Sequence, residues 1–252
     1  MKLYKKYSKL FKYLININKK KENNQYENVT NGFKRFDLPL LVSYPRSGTN
    51  FVRYFIEYTT EMRTPGQVRL IHKGPFCIDR SHRGFYNMKS YPFVILLLRN
   101  YKECLLRHNT DDWFKSKNVY DFLNNSQLDQ PCEWYIKNIE AFEFHENKKL
   151  LLYYEDMINH TDVFFNKLGK FLDINEEEVE KFIKNIYWHE RQSVDAYCSG
   201  GHDSYTSTSK DTCFHSRKML SLKEKKDFDI YYSLNYPELS MKYLRRYYEY
   251  KI

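Results

Sequence analysis

Leu40-Leu41-Val42-Ser43-Tyr44-Pro45-Arg46-Ser47-Gly48-Thr49-Asn50-Phe51-Val52 is the stretch on which the reading of this chain turns. Leu40 to Val42 is a short apolar run that leads into turn formers, which predicts a buried strand. Pro45 and Gly48 turn the backbone. Phe51, Val52, Phe55 and Ile56 then recur on one face of a helix that the spacing carries to about Thr60. A strand, a tight turn and a helix start together present bare main-chain amides to an anion. Arg46 adds a fixed cation, and Ser47, Thr49 and Asn50 add side-chain donors. The segment is a candidate phosphate- or sulfate-binding loop. The plainer alternative is a strand-to-helix turn in which Thr49 or Asn50 merely caps the helix. It is not the common nucleotide loop G-x-x-x-x-G-K-[ST], which in this register needs Gly at Ser43, Lys at Thr49 and a hydroxyl residue at Asn50.

Downstream, Val68 to Ile71 is expected as a second strand that delivers His72, Lys73, Gly74 and Pro75 to the carboxyl edge of a parallel sheet, where ligands bind. His72 is the candidate general base, because an imidazole titrates near neutrality. His82, in the polar stretch Asp79 to Arg83, is a lesser candidate, and residues 76–91 are expected as a loop or short helix. Phe93 to Leu98 is uninterruptedly apolar and reads as a strand buried on both faces. Arg99 ends it, a charge beside a core that needs a partner, and a phosphate suits a guanidinium bidentately. Residues 110–131 read as an acceptor-side loop or helices, Glu133 to His145 as a helix, and Leu150 to Tyr153 as a further strand running into Tyr154-Glu155-Asp156-Met157. There the two acids have the plain reading of helix caps. Thr161 to Leu172 is amphipathic, and the helix after Asn175 starts with acids, as the helix dipole prefers. Asp195 to Ser221 is polar and reads as a binding loop or lid. Lys223 to Tyr248 closes the chain with helices broken at Asn235-Tyr236-Pro237.

The chain has 252 residues and a formal charge of +9, enough for one α/β domain with a full core and a balance that attracts anions. That balance alone does not distinguish a polyanionic cofactor from nucleic acid or membrane. Cys77, Cys104, Cys132, Cys198 and Cys213 are odd in number and form no C-x-x-C pair, which speaks against a zinc site or a disulfide framework and for reduced thiols in a cytoplasmic protein. Residues 1–31 form a separate basic segment of helical apolar spacing and a linker, ahead of the main domain at 32–252. It has no continuous apolar core of the signal-peptide kind and is too short to span a bilayer. The plain reading is a solvated helix packed on the domain. The sharper one is weak membrane contact by residues 1–21.

Tyr44-Pro45-Arg46-Ser47-Gly48-Thr49 resembles the 5′-phosphosulfate loop of the sulfotransferases that use PAPS (3′-phosphoadenosine 5′-phosphosulfate), written Y/F-P-K/R-S-G-T-T/N-W/F. Arg99, Asn100, Lys102 and Glu103 after an apolar strand are similar to that family's 3′-phosphate motif, R-[DN]-x-[RK]-[DE]-x-x-x-S, with Arg107 in place of the final serine. Tyr154-Glu155-Asp156-Met157 resembles a third signature. The family's catalytic histidine lies in a K-T-H-x-P-like stretch between the two cofactor motifs. Aligning Pro75 with that proline places Lys73, not His72, on the histidine.

The resemblance covers residues 38–250. It implies a three-layer α/β domain of the P-loop-like sulfotransferase fold, with a parallel sheet and helices on both faces. It implies sulfuryl transfer from PAPS to a hydroxyl or amine, leaving the bisphosphate PAP, with no metal and no nucleic-acid partner. Ser47, Gly48, Thr49 and Asn50 are then expected at the 5′ end of the cofactor, with Arg46 stabilising the charge that grows on the leaving phosphate, Arg99 and Arg107 at the 3′-phosphate, and Phe51 and Tyr154 near the adenine. His72 is expected as the base, with Lys73 aiding charge stabilisation. Arg217-Lys218 is expected to close over the cofactor, with Ser209-Lys210 as the rival pair. The acceptor stays open among small-molecule, glycan and peptide hydroxyls. Two other classes compete: an ATP- and magnesium-dependent kinase of nucleotides or small molecules, and a catalytically inactive sulfotransferase-like binding protein.

Overall fold

The computed structural model describes residues 36–66, 70–72, 74–124, 131–199 and 220–249. Four parallel strands form one sheet in the order β2-β1-β3-β4, with β1 Leu40–Ser43, β2 Asp79–Ser81, β3 Phe93–Leu98 and β4 Lys148–Tyr153. Parallel neighbours need crossovers, and helices supply them. Helix α1 (Thr49–Thr60) leaves β1. Helices α2 (Tyr101–His108), α3 (Thr110–Lys115), α4 (Val119–Asn124) and α5 (Pro131–Glu143) lie between β3 and β4. Helices α6 (Tyr154–Asn159), α7 (Thr161–Leu172), α8 (Glu176–Lys184), α9 (Ile186–Ser199) and α10 (Leu222–Asn235) follow, with short turns to Tyr247.

The alternation of side chains along a strand sorts the apolar residues into two cores. Val94, Leu96 and Leu98 join Leu40 and Val42 against Tyr101, Leu105, Ile139 and Phe228 from α2, α5 and α10. Ile95 and Leu97 join Leu41, Leu150 and Leu152 against Val52, Phe55, Phe165 and Phe182 from α1, α7 and α8. Helices therefore cover both faces of a parallel sheet, and the expected three-layer α/β architecture is the one adopted.

The second strand is not where the apolar pattern placed it. Residues 68–69 and Lys73 lie outside the described residues, as do residues 1–31, Ser209-Lys210 and Arg217-Lys218. Ile71 and His72 are in no strand. Their amides donate to the Glu57 carboxylate at 2.8 and 3.1 Å, so they do not join a ladder. The strand beside β1 is instead the polar Asp79–Ser81, with Leu40 opposite Asp79 and Val42 opposite Ser81. Residues 76–91, expected as loop or short helix, thus contain a strand as well as two 3-10 turns, Gly84–Tyr86 and Met88–Ser90. Residues 195–199, expected as loop, still belong to α9.

The chain end is fastened to α2 through a buried ion. Lys102, 3% exposed, donates to the Tyr247 carbonyl at 2.7 Å and pairs with Asp229 at 2.8 Å and Glu249 at 3.2 Å. Tyr101 donates to Asp229 as well. Removing one partner of a buried pair strands the other charge, at about 3–5 kcal/mol. Asp229→Ala is therefore expected to lower the midpoint of thermal unfolding by about 6–20 °C, at about 2–4 °C per kcal/mol for a chain this long. A calorimetric midpoint within ~1 °C of the parent would overturn this account.

Candidate active site

The loop after β1 takes its shape from two left-handed residues, Arg46 at φ 71° and Gly48 at φ 84°. Glycine is required at 48 for a second reason: a Cβ there would sit 2.5 Å from the Tyr154 ring. Helix α1 starts at Thr49 with Gly48 as its cap residue and no side-chain cap. The capping alternative thus falls away. Thr49 Oγ1 shares a 2.7 Å hydrogen bond with Ser43 Oγ instead, and Asn50 Oδ1 accepts from Arg53 at 3.0 Å. Alternating backbone hand beside an uncapped helix start makes a concavity of amides suited to an anion.

The arginine after β3 reaches this loop. Arg99 Nη1 donates to the Arg46 carbonyl at 3.1 Å, and its guanidinium lies 4.0 Å over the Tyr154 ring. Glu103 joins Arg99 to Arg107, at 2.7 and 3.5 Å. The structure therefore brings together Arg46, Ser47, Gly48, Thr49, Asn50, Arg99, Arg107 and Tyr154. Phe51 packs in an aromatic cluster with Tyr54, Phe165 and Phe182. The acids after Tyr154 tie segments together: Glu155 accepts from the Asn100 amide at 2.9 Å and from Tyr247 at 2.8 Å, and Asp156 pairs with Arg246 at 2.6 Å.

The histidine that reaches the loop is His82, not His72. Glu57, which holds the His72 amide, lies eight residues into α1, roughly 12 Å along the axis from Thr49. His82 directly follows β2, and its Nδ1 is 2.7 Å from the Ser43 carbonyl. A carbonyl only accepts, so Nδ1 carries the proton and Nε2 keeps its lone pair. Nε2 has no hydrogen-bond partner among the described residues. Burial, then Arg80, His108 and Arg53, push the His82 pKa down to about 4, against the opposing effect of the Ser43 bond.

Arg80 stands two residues before His82 and so projects to the same side of the sheet. Its amide bonds Asp79 Oδ1 at 2.7 Å, while its guanidinium makes no hydrogen bond or ion pair among the described residues. Burial lowers its pKa, opposed by Tyr197 and Asp79. On the other side of His82, the Arg83 guanidinium lies 3.6 Å over Trp134. His108 sits between Trp134 and Tyr44, with ring centroids 6.3 and 5.5 Å away. Burial, Arg46 and Arg83 hold the His108 pKa down. Among the described residues no group of three or more His, Cys, Asp or Glu is placed to hold a metal, and no helix is long and apolar enough to cross a membrane.

Arg80, Arg83 and Trp134 join the site although the sequence pattern assigned them no role in it. The signal in the sequence was the apolar run Phe76-Cys77-Ile78 leading to a glycine at 84; the structure buries that run and sets Gly84 where a Cβ would meet Val42 at 2.5 Å.

This fold is that of the sulfotransferases. The structure is similar to that of mouse sulfotransferase SULT7A1 complexed with PAP, with a TM-score of 0.54 and 17% identity over 83% of this chain and 86% of that one. No protein-family model matches the chain, and no curated protein sequence matches it.

A histidine whose pKa is depressed on folding binds fewer protons in the native state than in the unfolded one below its ordinary value. The stability this represents is fully present above about pH 6.5 and is lost as the pH falls towards about 4. His82→Gln is expected to flatten the decline of the unfolding midpoint between pH 7 and pH 5. An unchanged slope would remove His82 from the explanation.

Proposed function

We propose that this protein transfers a sulfuryl group from PAPS to a hydroxyl or amine, with His82 as the general base. The observation that carries the reading is the meeting of three segments at one edge of the sheet. Arg99 bonds the carbonyl of Arg46 in the anion loop, and His82 bonds the carbonyl of Ser43 at the same loop's root. The local sequence Arg80-Ser81-His82 then follows the basic–hydroxyl–histidine order of the K-T-H pattern, at the end of a strand beside the loop.

The residues present suit a nucleotide that carries an anionic group at each end. The glycine cradle at Gly48, the left-handed Arg46 and the amides at the start of α1 would hold the 5′-phosphosulfate. Arg99 and Arg107 would hold the 3′-phosphate, with Glu103 fixing their spacing and Tyr154 lying between them and the loop. When bound, PAPS supplies the activated sulfuryl group. Arg80, a half-buried cation whose guanidinium has no ion pair among the described residues, stabilises negative charge beside His82. His82 Nε2 accepts the proton of the attacking hydroxyl, and the Ser43 carbonyl holds the tautomer in which it is able to do so. A bound anion raises the pKa of an adjacent imidazole, so His82 moves towards the working pH once the site is filled.

Four outcomes test this. PAP at about 100 times its dissociation constant adds roughly 2.7 kcal/mol, or about 5–10 °C in the unfolding midpoint. A response only to ATP with magnesium would favour a kinase instead. Transfer of radiolabelled sulfuryl from PAPS should fall by about 10²–10⁴-fold in His82→Ala, the range for a lost general base. PAP should still stabilise that variant, and His72→Ala should keep its transfer rate. Loss of transfer in His72→Ala with retention in His82→Ala would reverse the assignment.

A further inference from the structure

Helix α5 touches both halves of the site through residues one turn apart. Asn138, 1% exposed, uses both ends of its amide on the turn that carries His82: Nδ2 donates to the His82 carbonyl at 2.9 Å, and Oδ1 accepts from the Phe85 amide at 3.2 Å. Tyr135, also 1% exposed, donates its hydroxyl to the Arg99 carbonyl at 2.6 Å, and its ring lies 5.6 Å from that of Tyr44 at the root of the loop. On the same helix, Trp134 lies under Arg83. Residues three apart on a helix share a face, so one rigid element holds the main chain of His82 and the main chain of Arg99 at a set distance.

We propose that α5 is the spacer of the active site, with Asn138 and Tyr135 as positioning residues that fix His82 relative to Arg99. The inference rests on the sulfotransferase reading for its chemical meaning. Its geometric content stands apart from that reading. His82 is gripped at two points, its imidazole by Ser43 and its carbonyl by Asn138. Without the second grip, the turn 82–85 keeps its ring contacts with α5, Arg83 on Trp134 and Lys137 over Phe85, but loses both main-chain hydrogen bonds to it, and the His82 backbone is free to shift from the position that seats its ring on the Ser43 carbonyl. A misplacement of about 1 Å is enough to lose about 10²-fold in rate. Neither residue exchanges a proton with a reacting group: the Asn138 amide does not ionise near neutral pH, and burial raises the pKa of the Tyr135 hydroxyl well above its ordinary value.

The two arms of the spacer separate experimentally in the full chain. In Asn138→Ala the imidazole of His82, followed by NMR titration, should move from a midpoint near 4 towards the ordinary 6.5. Sulfuryl release from PAPS, to water or to an acceptor, should fall about 10–100-fold in kcat with KM for PAPS unchanged. In Tyr135→Phe the His82 titration should stay as in the parent, while PAP binding weakens about 5–10-fold. Asn138→Asp keeps the volume and the acceptor for Phe85 but loses the donor to His82. It should show the same fall in kcat, which guards against a cavity that prevents folding. An unmoved His82 midpoint in Asn138→Ala, full kcat in Asn138→Asp, or equal effects of Asn138→Ala and Tyr135→Phe on both readouts would overturn the proposal. Failure of the parent protein to bind PAP would instead overturn the sulfotransferase reading, with the titration arm still deciding whether Asn138 positions His82.

Discussion

Because β1 pairs in parallel with β2 on one side and β3 on the other, and Val42 stands opposite both Ser81 and Leu96, the next residues of all three strands arrive together at one edge of the sheet. Those residues are Tyr44 and the anion loop, His82, and Arg99. A one-residue slip of β2 would turn Arg80 to the opposite face and take His82 off the Ser43 carbonyl. At β3 packing holds the register, with Ile95 and Leu97 fitted into one core and Val94 and Leu96 into the other. The short polar β2 has no such insurance in its own side chains. Its register is set by neighbours instead: Asp79 donates its amide to Pro39 at 2.7 Å and accepts from Tyr91, and Gly84 lets the turn lie against Val42.

Buried charge divides this protein into two kinds of place. At Lys102 the cation is matched by Asp229 and Glu249 and by a main-chain carbonyl, an arrangement that fastens the chain end and leaves nothing for a ligand. This residue matches the 3′-phosphate motif by position, yet its amine points into the fold. At Arg80, two residues before His82, the guanidinium has no carboxylate in contact among the described residues, although taking a guanidinium out of water is unfavourable. Burial first, and then the field of Arg80 with smaller contributions from His108 and Arg53, keeps the imidazole of His82 neutral. Under the proposed function, an incoming polyanion would neutralise the charged part of that effect, which would couple occupancy to basicity.

Much of the architecture was legible in the residues. Phe93 to Leu98 has to be a doubly buried strand because no side chain in it tolerates water, and the helix at 161–172 follows from its apolar spacing. The loop was legible because Pro, Gly and an apolar strand leave few backbone paths between them, and its left-handed residues are where Gly48 and the turn demanded. Val68 to Ile71 misled. Its apolar side chains suit a strand, but Glu57, two turns into α1, captures the amides of Ile71 and His72. No local pattern reports a carboxylate that arrives from fourteen residues away.

By itself, then, the sequence determined the parallel α/β layering, the tight turn at 44–49 and the arginine after β3, since each depends on local periodicity or on the backbone freedom of a few residues. Only the tertiary structure decided which histidine stands at the loop, that Arg107 shares Glu103 with Arg99, and that Lys102 is spent on the chain end. These depend on which main-chain groups β2, α5 and the last turns bring within hydrogen-bonding distance. A polar strand of three residues carries no periodicity long enough to announce itself. Its place is set by the partners that satisfy its amides and carbonyls.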